Sequence, residues 1–180
     1  GYGATNVEKV QLLVSFTDAF TGAKLRIPNT PFALFVRPGI QNGQKERRLC
    51  QTQEGHQAYF DIEYKLYDPG GFYKFLEIDG VNRFCCHLTM TTGQLLCEFQ
   101  HSLKNINPSG NSILVTVPVD YKRFVVVKNV GIRLDENGNR GDLYVIPVVN
   151  ITPIEKEIYP VLAALYKKIK ATGTKYQYFS

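Results

Sequence analysis

The chain predicts a mainly β protein, an antiparallel β-sandwich of about eight strands with one C-terminal amphipathic α-helix. Three observations carry this. Apolar and polar residues alternate at period two through Val10–Phe16, Phe60–Leu66 and Ile113–Val119, the pattern of strands with one buried face. Turn clusters separate such runs at spacings that suit a sandwich or barrel rather than alternating βα units. After Thr152 the apolar period changes to about 3.6 residues, the signature of a helix.

In the first run Val10, Leu12, Val14 and Phe16 share one side, and Lys9, Gln11 and Ser15 share the other. Asp18 and Gly22 then form a tight turn, the first by bonding a backbone N–H and the second by accepting positive φ, before a strand at Phe32–Val36. Pro38–Gly39 and Asn42–Gly43 punctuate a polar loop or hairpin tip that runs into Lys45–Glu46–Arg47–Arg48. Phe60, Ile62, Tyr64 and Leu66 alternate with Asp61, Glu63 and Lys65, and Asp68–Pro69–Gly70–Gly71 ends that strand. Another follows at Phe72–Ile78. Asp79–Gly80 then leads into Val81–Met90, and Thr91–Thr92–Gly93 turns the chain into Gln94–Phe99. These two runs read as an antiparallel hairpin with Phe84, Cys86, Leu88 and Met90 facing the core beside Leu95, Cys97 and Phe99. Asn105–Asn111 is a long connection between sheets; beyond Ile113–Val119, runs at Phe124–Val130 and Leu143–Val149 flank the turn-rich Asp135–Asn139.

The helix is capped by Thr152, with Pro153 at its first position. Its stripe is Ile154, Ile158, Leu162, Leu165 and Ile169, with Glu155 and Glu157 early and Lys167, Lys168 and Lys170 late, as the helix dipole favours. Pro160 kinks it or marks its true start, and Gly173 stops it. The organisation expected is a sandwich over residues 1–150, with a helix and tail over 151–180 packed on it.

A strand, then Asp18–Ala19–Phe20–Thr21–Gly22, then a strand, and later Gly71–Phe72–Tyr73–Lys74–Phe75–Leu76–Glu77–Ile78–Asp79–Gly80, resembles transthyretin-like and carboxypeptidase-regulatory-like modules over residues 9–36 and 71–90. The resemblance implies a β-sandwich and, those modules being mostly noncatalytic, a noncatalytic role. The stretch from Pro38 to Pro69 is longer than such modules carry.

At 180 residues the chain suffices for one domain with a full-sized core, and its net charge of +5, spread among interspersed signs, reads as a mildly basic surface. No apolar run approaches the roughly 18 residues that span a bilayer, and Gly1–Asn6 has neither a basic nor an apolar leader region. The chain is therefore expected to be soluble without a transmembrane segment. Its four cysteines are not needed as staples in a chain with 44% hydrophobic residues. Cys86 and Cys97 are expected reduced and facing the core, which favours a reducing compartment and leaves localisation otherwise open.

Cys85–Cys86–His87, with Cys50, His56, Cys97 and His101, invites a metal or thiol reading. Adjacent strand residues face opposite ways and no Cys-x-x-Cys is present, so neither metal nor cofactor is expected. A Cys85 nucleophile would need His87 some 6.5–7 Å along the strand, with no orienting third group; a solvent-facing Arg83–Cys85–His87–Thr89 row accounts for the same residues. Arg140–Gly141–Asp142 forms an RGD tripeptide that a loop tip would present to an adhesion receptor, or an ordinary solvated hairpin end. Lys45, Arg47 and Arg48 are candidate phosphate contacts, without an accompanying RNA-binding signature.

The expectation is a noncatalytic structural or interaction sandwich, a component of a larger protein assembly and part of a homo- or hetero-oligomer. Arg140, Gly141, Asp142, Lys167, Lys168 and Lys170 are its candidate partner contacts. The alternatives are a nucleic-acid-associated or virion-type structural protein using Lys45, Arg47 and Arg48, and an adhesion module acting through Arg140–Gly141–Asp142.

Overall fold

A computed structural model describes residues 7–171. In chain order it contains β1 (Glu8–Ser15), α1 (Phe16–Thr21), β2 (Ala23–Arg26), β3 (Ala33–Val36), β4 (Lys45–Gln51), β5 (Gln57–Tyr67), β6 (Tyr73–Ile78), β7 (Val81–Thr91), α2 (Thr92–Leu96), β8 (Gln100–Leu103), β9 (Ile113–Thr116), β10 (Val125–Val127), β11 (Leu143–Asn150) and α3 (Pro153–Ala171). The protein is mainly β with a C-terminal helix, as the alternation predicts. A five-stranded sheet runs β1-β5-β4-β3-β2, a four-stranded sheet runs β10-β11-β7-β6, and β8 pairs with β9.

The sheets are mixed rather than wholly antiparallel. β1 lies parallel to β5, with Leu12 beside Tyr64, and β11 lies parallel to β7, with Val145 beside Cys86. The reason lies in two segments that read as tight turns. Asp18–Gly22 is not a turn between paired strands: Ser15 accepts the Asp18 N–H at 3.0 Å and caps α1, which leads the chain to the far edge of the sheet. There β2, β3, β4 and β5 form a meander that ends beside β1. Phe16 is thus the first residue of a helix, and its buried ring meets Phe84 edge-on at 4.9 Å.

The second segment corrects the expected 81–99 hairpin. Thr91 and Gln94 form a reciprocal capping box that starts α2, so Leu95, Cys97 and Phe99 do not join Cys86 on a sheet face. Leu95 packs partly against the core, whereas Cys97 and Phe99 are exposed. Likewise Asn105–Asn111 does not link the main sheets but closes the β8–β9 pair, and Lys45–Arg48 belongs to β4 rather than to a loop.

One apolar cluster joins the inner faces, taking Leu12, Val14, Phe60, Ile62 and Tyr64 from the larger sheet, and Phe84, Cys86, Leu88, Leu143 and Val145 from the smaller. Leu103, Ile113, Val115 and Val117 extend it, together with others such as Phe16, Ile27, Val36 and Tyr73. Alternating inward residues at this density supply the hydrophobic driving force of a sandwich.

α3 starts where predicted. Thr152 Oγ1 accepts the Glu155 N–H at 3.2 Å, while Glu155 Oε2 accepts the Thr152 N–H at 2.8 Å, and the helix runs on through Pro160. Glu155 Oε1 also accepts the Gly93 N–H at 3.3 Å, tying the first turn to α2. The stripe expected to pack on the sandwich does not do so at its described positions: Ile154, Ile158 and Leu165 are exposed, and no described α3 residue enters the core cluster. The expected stop at Gly173, the tail beyond it and Gly1–Asn6 lie outside the described residues.

Candidate interaction surfaces

The outward face of the five-stranded sheet gathers charge and aromatic surface together. Register sets Lys9 and Arg47 on either side of Asp61, then Gln11 and Lys45 on either side of Glu63. These six line a shallow groove of about 490 Å³. Arg47 grips Asp61 with a two-pronged bond, Nε to Oδ1 at 2.8 Å and Nη2 to Oδ2 at 3.2 Å. That fork, with the Lys9 charge, holds the Asp61 carboxyl below its ordinary range although partial desolvation opposes it. On the adjoining row Leu49 stands opposite Tyr59, and extending the Ala33–Gln51 pair by two residues brings Phe35 level with Leu49. Phe35, Leu49 and Tyr59 are 53%, 43% and 57% exposed, and Lys24 pairs with Phe35 on the outer side.

Of the three basic residues predicted for this region, Lys45 and Arg47 reach the outward face and Arg48 does not. Strand alternation turns Arg48 and Glu46 inward, where β3 and β4 share one register pair. Glu46 accepts from Arg37 Nη2 at 2.9 Å, from Arg48 Nη1 at 3.2 Å and from the Tyr64 hydroxyl at 2.5 Å. Arg48 Nη2 also donates to the Phe35 carbonyl at 3.0 Å, so it bridges β4 to β3. Arg48 is a structural clasp.

The RGD tripeptide is likewise built into the frame rather than offered at a tip. The tip of its excursion is Asp135–Asn139, and Arg140 lies on the returning limb, bridged to Arg133. Arg140 Nε donates to the Gly131 carbonyl at 3.0 Å and Nη2 to the Val130 carbonyl at 2.7 Å, while its guanidinium lies 4.9 Å from the Phe20 ring centroid. Burial pushes its pKa down. Gly131 packs so tightly behind Gly141 and Asp142 that a Cβ there would approach the Asp142 carbonyl oxygen to 2.6 Å. Asp142 accepts from Lys128 Nζ at 3.0 Å and from the Asn129 N–H at 3.1 Å. Both charges of the tripeptide are engaged within the domain, Arg140 by backbone carbonyls and Asp142 by Lys128 and the Asn129 N–H.

The thiol candidates are also packing residues. Cys85 is buried, not part of a solvent-facing row: Tyr144 and Lys74 flank it, and its Sγ donates to the Arg83 carbonyl at 3.2 Å. Burial pushes the Cys85 thiol up and that of Cys86 up to about 12, opposite to the shift that makes a nucleophile. Cys50, Cys85, Cys86 and Cys97 are all free thiols. Among the described residues no group of three or more His, Cys, Asp or Glu side chains could hold a metal ion, and no helix is long and apolar enough to cross a membrane.

α3 offers a second surface. Ile154, Ile158, Val161 and Leu165 are 72%, 46%, 69% and 53% exposed, and their spacing of four, three and four places them on one helix face. Lys167 and Lys168 are exposed beyond them, and Lys170 falls on the last turn. These lysines are the ones expected from the sequence, whereas the apolar stripe expected against the sandwich is exposed at its described positions. The outward sheet row is not legible in the sequence, because Phe35, Leu49 and Tyr59 lie in three separated segments. Comparison with protein-family models and with curated proteins finds no match to this chain.

Proposed function

We propose that this protein is a noncatalytic interaction sandwich, a component of a larger protein assembly into which α3 docks. One observation carries the reading: four large apolar side chains, Ile154, Ile158, Val161 and Leu165, form a continuous exposed stripe on a helix whose first turn is fixed to the domain. Exposing such a stripe forgoes hydrophobic stabilisation of roughly 1.5–3 kcal/mol per fully buried side chain, and an apolar groove on a neighbouring subunit recovers it. The Thr152–Glu155 capping box supports the same reading, because a helix formed before docking loses less conformational entropy on binding.

Size-exclusion chromatography of native extract, probed for this chain, tests the proposal. Elution well above the 20.4 kDa monomer is expected. An Ile158→Asn/Leu165→Asn variant is expected to elute later with an unchanged circular dichroism spectrum. Elution of the wild-type chain as a lone monomer overturns the reading.

A further inference from the structure

From a separate surface, the outward face of the five-stranded sheet, we infer that this protein binds single-stranded nucleic acid. Lys9, Lys24, Arg26, Lys45, Arg47 and Lys65 project from the strands of that face, whose strand carboxylates are Asp61 and Glu63, while Glu54 in the β4–β5 turn lies near Lys24 and Arg26. Six cations against two anions place most of the chain's net charge of +5 on one side of one sheet. Arg47 neutralises Asp61. The other five cations enter no ion pair among the described residues, and although Arg26 Nε donates to the Thr30 carbonyl at 3.0 Å, their charges remain uncompensated by a paired carboxylate and can meet phosphate.

The aromatic side chains decide the kind of polyanion. Phe35 and Tyr59 lie on one row with Leu49 between them, and both rings are more than half exposed beside the cations of the next rows. A base stacks on such a ring only when its own π-face is free, which selects single strands over duplexes. Lys9 on β1 and Lys45 and Arg47 on β4 line the two sides of the groove, whose floor carries Asp61 and Glu63, so a phosphate backbone would follow the flanking cations, and the row Phe35–Leu49–Tyr59 crosses the sheet at one end of that groove. Stacking is indifferent to base identity, so the binding is expected to be weakly dependent on sequence.

Fluorescence anisotropy of labelled 15-nucleotide oligo(dT) and oligo(U), titrated with the full chain from about 50 to 300 mM salt, tests this. Each phosphate neutralised contributes about −0.7 to the slope of log affinity against log salt, so three to four contacts predict a slope of roughly −2 to −3. Lys9→Gln/Lys45→Gln/Lys65→Gln is expected to bring that slope up by about 2. Phe35→Ala/Tyr59→Ala is expected to weaken binding about tenfold or more at unchanged slope, since each stacked base contributes substantially. All five substituted positions are exposed, and circular dichroism verifies that the variants fold. No binding at 50 mM salt overturns the inference. So does binding that poly-glutamate displaces as readily as unlabelled oligo(dT), or that the aromatic substitutions leave unchanged, because the face would then be a dock for acidic protein. The α3 variant Ile158→Asn/Leu165→Asn is expected to bind oligonucleotide like the wild type, which separates this surface from the assembly reading.

Discussion

Tyr64, with no exposed surface, donates its phenolic hydrogen to Glu46 Oε1 across 2.5 Å. The bond puts an ionised carboxylate at the lip of the core, satisfied from three directions by Arg37, Arg48 and Tyr64. Arg37, just past β3, and Arg48, through the Phe35 carbonyl, carry this cluster across the place where β3 and β4 part, so a polar clasp does there what a continuous ladder does elsewhere in the sheet.

Removing that carboxylate leaves a buried hydroxyl and two guanidinium groups short of an acceptor. Glu46→Ala is expected to cost about 2–3 kcal/mol, more than an exposed ion pair contributes. Urea denaturation at neutral pH reads the difference, and a loss below about half a kcal/mol would show that water replaces the carboxylate freely.

The same clasp sets a pH dependence. Burial opposes ionisation of Glu46, but the hydrogen bonds from Arg37, Tyr64 and Arg48 outweigh it and hold its pKa below the ordinary 4.5. A carboxyl depressed in the folded state stabilises fully above its unfolded pKa, and that stability is lost as pH falls through the folded value. Tyr64 is shifted the other way, well above its ordinary 10.0, by burial and by the Glu46 bond, so its contribution is present below pH 10.0 and is lost as pH rises beyond it. Unfolding free energy measured from pH 6 down to pH 3 is expected to fall less steeply in Glu46→Gln than in the wild type. Parallel curves would assign the acid loss to other carboxylates.

Core burial makes a second stability prediction. Leu12 and Ile62 are 3% and 1% exposed on adjacent strands, and Leu12→Ala or Ile62→Ala is expected to cost about 2–5 kcal/mol from lost transfer energy and the cavity left behind. Chemical denaturation with an unchanged m-value tests each.

Cysteine accessibility separates one thiol from three. Cys97 is exposed after α2, whereas Cys50, Cys85 and Cys86 are buried, and burial raises the pKa of each buried thiol. Iodoacetamide is expected to add to one cysteine in the native protein and to four after denaturation, read by intact mass. Two or more rapid native adducts would contradict the packing around β4 or β7.

Arg140 acts through its planar fork and its stacking on Phe20, properties lysine lacks. Arg140→Lys is therefore expected to lower the melting temperature nearly as much as Arg140→Ala. Full recovery of stability by lysine would show that charge alone suffices.

What the sequence determined by itself was the mainly β class, the inward face of the long alternating strands and the C-terminal helix, whereas β2, β4 and β8 were not legible as strands and Gln94–Phe99, which reads as one, is not. Val14, Phe60, Ile62, Tyr64, Phe84, Val115 and Val117 are buried where period-two alternation puts them, because a side chain's face is decided within its own strand by the pleat. The cap of α3 was legible for the same reason, Thr152 and Glu155 being three residues apart. Two short helices were legible and went unread: Ser15 to Asp18 and Thr91 to Gln94 have the spacing of N-terminal caps, which their Gly and Thr neighbours made look like turns. Which strands lie side by side is decided by contacts between distant segments, so the parallel pairs β1–β5 and β7–β11 belong to the tertiary structure. The surfaces follow from that. Only the strand order brings Phe35, Leu49 and Tyr59 into one exposed row, and only the packing of the fold shows the described α3 stripe lying outside the core cluster. Arg140 and Arg48 have free charges in a linear reading and bonded ones in the fold, because the carbonyls and carboxylates that engage them come into reach when the chain closes.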